Sequence, residues 1–240
     1  MGRAHEVRAA SMAKTSLRKS KIYSKFGKEI YMAAKNGGTD PDSNLTLRRI
    51  IDRAKQAQVP GDVIKRNIEK TKSGVGEDYH PSRYEGFGPG GSTIIVACLT
   101  DNANRTFGEV RNCFNKTGGK IGVSGSVSYL YTYCARISFS GMSEDEALEA
   151  LMMNDCDVTD IESDEDIVII TGEPSDLDHI KDTLVETGKE LTFYQDEVTY
   201  LPGDYITLDD DNAQKLQRFI DLVDDLEDVQ DIYHNVNLPE

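Results

Sequence analysis

Apolar positions change their spacing along the chain, from a helical period in the first third to strand-like runs and alternation afterwards. Ile22, Phe26, Ile30 and Ala33 fall at i, i+4, i+8 and i+11, which draws one apolar stripe on a helix over 21–35. After the Gly37-Gly38 break and the Asp40-Pro41-Asp42 turn, Leu47, Ile50, Ile51 and Ala54 predict a second helix over 43–57. Val59-Pro60-Gly61 separates it from a third, with Asp62 as the expected cap and Ile64 and Ile68 turned inward. Helices this short can bury their stripes only against one another, so a three-helix lobe is expected. Residues 1–20 carry few large apolar groups and read as a mobile basic arm that orders on binding.

Gly74, Gly76 and Pro81 mark a boundary over 73–81. Beyond it, 93–100 reads as a strand, 106–117 as a helix and 125–133 as an alternating strand. From Ala135 the pattern runs strand 136–140, helix 144–154, strand 158–162, a turn at Ser163-Asp164, strand 167–171, helix 174–186 and strand 190–194. That is the β-α-β-β-α-β order of a ferredoxin-like unit. A strand over 197–208, a helix over 209–226 and a strand over 229–236 then complete the unit opened at Thr93. The expected fold is α+β and three-lobed. A three-helix N-terminal lobe (1–76) precedes a discontinuous ferredoxin-like α/β lobe (77–133 with 196–240), and a second ferredoxin-like lobe (134–195) is inserted between its central strands.

Charge changes the picture. The 240 residues hold 27 Lys and Arg against 42 Asp and Glu, a formal net charge of −15 that argues against a nucleic-acid partner. Through Lys72, however, there are 17 basic against 7 acidic residues, and after it 10 against 35, so a basic lobe is joined to an acidic body. Lys21, Lys25, Lys28 and Lys35 form a narrow stripe on the first helix, where like charges repel unless a polyanion relieves them. Arg48, Arg49, Arg53 and Lys55 lie on the outer face of the second helix, and Lys65, Arg66, Lys70 and Lys72 on that of the third. All of these except Lys72, with Arg18 and Lys19 of the arm, and Arg83 and Arg105 near strand ends, are the candidate nucleic-acid contacts. Tyr84, Phe87, Asn102 and Asn104 stand where they could stack on or edge-bond RNA, or serve as turn residues.

Other chemistries find little support. The longest wholly apolar run is six residues, 94–99, so no transmembrane helix is expected, and the first 28 residues lack the apolar core of a secretion signal. Cys98, Cys113, Cys134 and Cys156 have no C-x-x-C spacing and read as buried thiols of a reducing compartment. His5, His80, His179 and His234 lack metal-ligand spacing, so no catalytic residues and no metal are expected. Asp164-Glu165-Asp166 and Asp209-Asp210-Asp211 read as turn and cap residues. Gly86-Phe87-Gly88-Pro89-Gly90-Gly91 precedes a strand, and Gly118-Gly119-Lys120-Ile121-Gly122 lacks a Gly-Lys-Ser/Thr end, so neither implies a nucleotide cofactor. No cofactor, membrane or small-molecule substrate is expected.

Three segments taken in order are specific: 83–91 (Arg-Tyr-Glu-Gly-Phe-Gly-Pro-Gly-Gly), 99–106 (Leu-Thr-Asp-Asn-Ala-Asn-Arg-Thr), and 115–129 with its Gly118-Gly119-Lys120-Ile121-Gly122 and Ser124-Gly125-Ser126-Val127. Together they resemble the YebC/PmpR family, described as probable transcriptional regulatory proteins and related to mitochondrial translational activators of cytochrome oxidase. The likeness extends over nearly the whole chain and implies three domains, one discontinuous. The usual family opening, a Gly-His-Ser-Lys-Trp run and then Lys-His-Arg-Lys, is replaced here by Met1-Gly2-Arg3-Ala4-His5-Glu6 and Ser16-Leu17-Arg18-Lys19-Ser20, as in a YeeN-type branch. Because the likeness begins so near Met1, a bacterial cytoplasmic protein is expected instead of one with a transit peptide. The resemblance implies a non-enzymatic regulator that binds DNA through the basic lobe, and its mitochondrial relatives imply the alternative, a translation factor on ribosomal RNA or the ribosome.

Overall fold

The computed structural model describes the backbone over residues 3–73 and 78–237, and side chains over 19–72 and 78–237. The chain opens with α1 (Arg3–Gly37), α2 (Leu45–Gln56) and α3 (Gly61–Lys70). α1 is helical from Arg3, so the backbone of the expected arm continues this helix. It ends at Gly38, whose N–H still donates to the Ala34 carbonyl at 3.0 Å and whose φ of 95° turns the following chain out of the helix. Asn44 then joins two helices. Its Oδ1 accepts from the Leu47 N–H (3.1 Å) to cap α2, while its Nδ2 donates to the Ala33 and Gly38 carbonyls (2.9 and 2.8 Å) at the end of α1. α3 starts after Pro60 without a side-chain cap, and Asp62 lies in its first turn instead of capping it. Ile30, Ala34, Leu47, Ala54 and Ile64 close the core of this lobe.

Next come β1 (His80–Phe87), β2 (Thr93–Thr100), α4 (Ala103–Lys116) and the short β3 (Lys120–Ile121). They are followed by β4 (Tyr131–Ser140), α5 (Glu144–Met153), β5 (Val158–Asp164), β6 (Ile167–Gly172), α6 (Leu177–Glu186) and β7 (Thr192–Pro202), and the chain closes with α7 (Asp210–Asp224) and β8 (Val229–His234). Two antiparallel sheets result, ordered β3-β1-β2-β8 and β5-β6-β4-β7. The fold is α+β, as expected.

The inserted unit spans 128–205 and has the β-α-β-β-α-β order anticipated for a ferredoxin-like lobe. It is wider than 134–195 because β4 and β7 pair along their whole length, from Tyr131 opposite Pro202 to Ser140 opposite Thr192. The stretches expected as separate strands, 125–133 with 136–140 and 190–194 with 197–208, therefore resolve into these two long strands. A bulge between Ser138 and Phe139 carries the pairing through. The core is built from Ile137, Phe139, Leu151, Ile170, Ile180 and Leu184.

The other unit comprises residues 1–127 and 206–240, so the three helices and the first sheet belong to one body. Its sheet opens with β1, a strand the apolar pattern missed because Arg83, Glu85 and Gly86 interrupt the alternation. Connectivity in this lobe is β-β-α-β and then α-β, and the insertion leaves after the edge strand β3 instead of between central strands. Gly86 fits where β1 passes α4 and β3. A Cβ there would lie 2.7 Å from the Lys120 carbonyl and from the Phe114 ring, so only glycine allows this approach. Ile94, Val96, Phe114 and Phe219 fill the core, the two rings 4.5 Å apart.

Candidate nucleic-acid interface

α1 projects its lysines at i, i+4 and i+7, so Lys21, Lys25 and Lys28 meet whatever lies along one face. What lies there is the end of α7 and the turn into β8. Lys21 pairs with Asp225, Lys25 with Asp224 (2.7 Å), and Lys28 with Asp228 (2.7 Å). Lys35 pairs with Asp78 at 2.8 Å, a hydrogen bond that raises the lysine pKa and lowers that of the carboxyl. The mutual repulsion expected of this stripe is thus relieved by the chain's own carboxylates.

The deepest of these contacts is a hub. Asp228 is 2% exposed, and its Oδ1 accepts from Lys28 while Oδ2 accepts from Thr100 (3.0 Å), Thr106 (2.7 Å) and the Arg105 guanidinium (2.6 Å). Lys28 also donates to the Glu227 carbonyl at 3.0 Å. Burial alone would raise the Asp228 pKa, but the hydrogen bonds, that from Lys28 foremost, hold the carboxyl well below the usual carboxylate range. In return Asp228 and Asp101 raise the pKa of Arg105. The sequence held one signal for these partners: Asp224 and Asp225 stand at the C-terminal end of α7, where the helix dipole disfavours anions and cationic company is called for.

Other candidates are also engaged. Arg53 lies 3.8 Å from Glu29 and over the Phe26 ring, Lys55 lies 3.4 Å from Asp52, and Arg83 lies 3.2 Å from Glu85. Glu85 is buried at 2% and accepts from the backbone N–H groups of Gly125 (3.0 Å) and Val127 (2.9 Å). Asn102 caps α4 by accepting from the Arg105 N–H at 3.1 Å, and the Tyr84 hydroxyl donates to the Ala103 carbonyl at 3.1 Å, so turn chemistry accounts for both. Phe87 is exposed, as is Asn104.

On α2, Arg48 and Lys55 are exposed and Arg49 half-buried, and Lys19 on α1 and Lys65, Arg66, Lys70 and Lys72 on and just beyond α3 are exposed. Lys19, Lys65, Arg66 and Lys72 make no ion pair among the described residues. Arg18 has a side chain outside the described residues. Between α1 and α3 lies a cleft of about 560 Å³, lined by Tyr23, Lys28, Tyr31, Arg66, Asn67, Lys70 and Tyr79 among others. Sequence reasoning missed it, because Tyr79 sits in the boundary stretch 73–81 and Tyr23 lies off the apolar stripe.

The four cysteines are free thiols, each with its pKa raised by burial, Cys98 to about 12. One grouping with ligand chemistry occurs among the described residues: Cys156, Asp176 and His179 bring a thiol, a carboxylate oxygen and an imidazole nitrogen within 4.8 Å of one another. All three already have protein partners: Asp176 accepts from the Asp157 N–H (2.6 Å), the Cys156 thiol lies 3.4 Å from the Thr183 hydroxyl, and His179 Nδ1 lies 3.3 Å from Asp176 Oδ1. Asp209 caps α7 through the Asn212 N–H at 2.8 Å. No described helix is long and apolar enough to cross a membrane.

Comparison with known proteins agrees with this architecture. Residues 3–74 match the TACO1/YebC protein N-terminal domain, and residues 79–236 match the TACO1/YebC second and third domain. Proteins named "probable transcriptional regulatory protein" from Vibrio vulnificus and Vibrio cholerae are each 50% identical over 238 residues, covering 99% of this chain and all of theirs. One so named from Pseudoalteromonas atlantica is 50% identical over 235 residues, covering 98% of this chain and 97% of its own. The crystal structure of a conserved hypothetical protein from Aquifex aeolicus superposes with a TM-score of 0.76 at 34% identity, covering 93% of this chain and 92% of that one. With both domain descriptions matched and half of all positions shared with full-length relatives, the chain belongs to the YebC/TACO1 family.

Proposed function

We propose that the protein is a cytoplasmic, non-enzymatic regulator of gene expression that grips a nucleic acid through the outer faces of α2 and α3. The observation that carries this reading is the division of the basic lobe: Lys21, Lys25, Lys28 and Lys35 of α1 are paired with Asp225, Asp224, Asp228 and Asp78, whereas Lys19, Lys65, Arg66 and Lys72 stand exposed without an ion pair among the described residues. Cations held clear of internal carboxylates are the ones that can displace counterions from a phosphate backbone. Burial raises the pKa of all four thiols, which argues against a cysteine nucleophile.

Within this reading the geometry favours folded RNA, and with it a role in assisting translation. α2 and α3 are joined by a short turn, as in a helix-turn-helix, but the first turn of α3 holds Gly61 and Asp62, with no side-chain donor where a recognition helix reads base edges. The relatives' names favour the other reading, transcriptional control through duplex DNA. Ribosome co-sedimentation and duplex-DNA binding, each across a salt series, decide between them. The double variant Lys65→Glu with Arg66→Glu is expected to weaken the genuine target and to flatten the log–log salt slope by about one unit for each phosphate left without its cation. Ribosome binding without DNA binding selects the RNA reading, DNA binding alone selects the transcriptional one, and unchanged binding of both targets overturns the α2–α3 surface.

A further inference from the structure

The cleft between α1 and α3 has a composition that the polyanion grip does not require. Its floor is the closest approach of the two helices, where the Asn67 carboxamide lies over Gly27. A Cβ on Gly27 would sit 3.0 Å from Asn67 Nδ2. Asn67 is more than nine-tenths buried, and its Nδ2 donates to the Val63 carbonyl at 2.8 Å. Its Oδ1 accepts from no donor among the described residues, and the side chain lines the cleft. A carboxamide oxygen on the lining of an open cleft is an acceptor that a donor on a bound group can reach.

The walls supply flat apolar faces. Tyr79 is held in place by the Tyr31 ring edge-on at 6.1 Å and by the Lys28 ammonium 5.1 Å from its centroid, so its orientation is fixed before anything binds. Tyr23 packs partly against the core of the lobe and stays half-exposed on the cleft side of α1. At the rim, Arg66 and Lys70 are one turn apart on α3, both exposed. Ring faces, one acceptor on the cleft lining and a cationic rim match the three parts of a nucleotide: base plane, exocyclic amine and phosphate.

We propose that this cleft receives a single unpaired nucleotide, its base against Tyr23 and Tyr79, its amino group donating to Asn67 Oδ1 and its phosphate on Arg66 and Lys70. A base inside a duplex is stacked on both faces and its pairing edge is occupied, so only an unpaired nucleotide offers all three parts together. The inference rests on the nucleic-acid reading above and narrows it. Adenine, cytosine and guanine carry an exocyclic amine, whereas the one donor on the pairing edge of uracil is its ring N3–H, flanked by two carbonyl oxygens that Asn67 Oδ1 would repel, so single strands rich in uridine are expected to bind less well.

The test uses the full chain and fluorescein-labelled oligonucleotides: oligo(A) RNA, oligo(U) RNA, oligo(dA) DNA and a blunt duplex, followed by anisotropy. Tyr23→Leu, which keeps apolar bulk but removes the ring, is expected to weaken oligo(A) binding about tenfold, to leave the salt slope unchanged and to spare the duplex. Ser24→Leu, an exposed position on the cleft rim, obstructs entry without touching the core and is expected to do the same. With 2-aminopurine in the strand, emission falls on binding to the parent protein and not to either variant. Equal losses on RNA and DNA strands identify any unpaired nucleotide as the ligand, and a larger loss on RNA adds a ribose-hydroxyl contact. Both variants binding oligo(A) like the parent, while Lys65→Glu weakens every target, overturns the cleft and leaves the polyanion surface standing. No binding of any nucleic acid overturns both.

Discussion

α1 and α3 carry comparable runs of cations, Lys21, Lys25, Lys28 and Lys35 on one and Lys65, Arg66 and Lys70 on the other, yet the two faces meet different surroundings. On the first, Lys21, Lys25 and Lys28 are turned toward carboxylates some 200 residues away in sequence, from α7 and the turn into β8, and Lys35 toward Asp78. The second faces solvent. Basic residues at helical spacing therefore have two uses in this lobe, fastening it to the first sheet and presenting charge outward. What separates them is the location of the acidic partners. The acidic body is more than a passive counterweight, because part of its charge selects which lysines remain available.

The comparison breaks most visibly at Asp228. Asp228→Ala leaves Lys28 buried without its counter-ion and takes a shared acceptor from the hydroxyls of Thr100 and Thr106, and removing one member of such a pair costs about 3–5 kcal/mol. Urea unfolding is the measurement, and a loss under about 1 kcal/mol, the level of an exposed pair, would show that the hub does not fasten the lobe. The same carboxyl sets an acid limit. Its folded pKa is depressed below the ordinary 3.8, so its stabilisation is present in full above that value and is lost as pH falls through the folded pKa. Melting temperatures followed from pH 5 downward are expected to drop in the parent, and to drop less steeply in the Asp228→Ala variant.

His234 gives a smaller effect in a higher window. Burial lowers its pKa below the ordinary 6.5, so the unfolded chain takes up a proton more readily than the folded one. Stability is then full above that value and declines as pH falls through it toward the folded pKa. His234→Gln is expected to remove the part of the decline between about pH 7 and 5 that belongs to this ring. A denaturant midpoint series over that range reads it, and an unaltered slope would mean that the ring titrates alike in both states.

Most of the elements were legible because their signals are local. The apolar stripe of Leu47, Ile50, Ile51 and Ala54 produced α2 to within two residues at either end, and the alternating pattern of the insertion produced its full β-α-β-β-α-β order. β1 was not legible, since a central strand containing Arg83, Glu85 and Gly86 depends on Phe114 and on a loop that Glu85 anchors, both distant in sequence. The site divides in the same way. That 17 basic residues fall in the first 72 was plain from counting, but the fate of each lysine was settled by Asp78, Asp224, Asp225 and Asp228, which no local pattern connects to α1. The cleft, too, needed α1 and α3 to cross at Gly27 and Asn67 before its tyrosines became neighbours.

The smallest expected effect is the sharpest test of the division. Lys21 and Lys25 pair with carboxylates that are themselves exposed, with 70% of the Asp225 side chain and 58% of the Asp224 side chain accessible. Pairs so placed contribute roughly 0.2–1 kcal/mol each, so the double variant Lys21→Ala with Lys25→Ala should unfold close to the parent. It should also retain nucleic-acid binding within about twofold and keep its salt slope, because these two ammonium groups already have partners and release no counterions on binding. Phosphate can compete for an exposed pair where it cannot compete for the Asp228 hub. If the double variant lost as much affinity and slope as the Lys65, Arg66 double variant, the exposed pairs would be opening to admit the nucleic acid, and the boundary between the fastening face and the presenting face would then run between Lys25 and Lys28 instead of between α1 and α3.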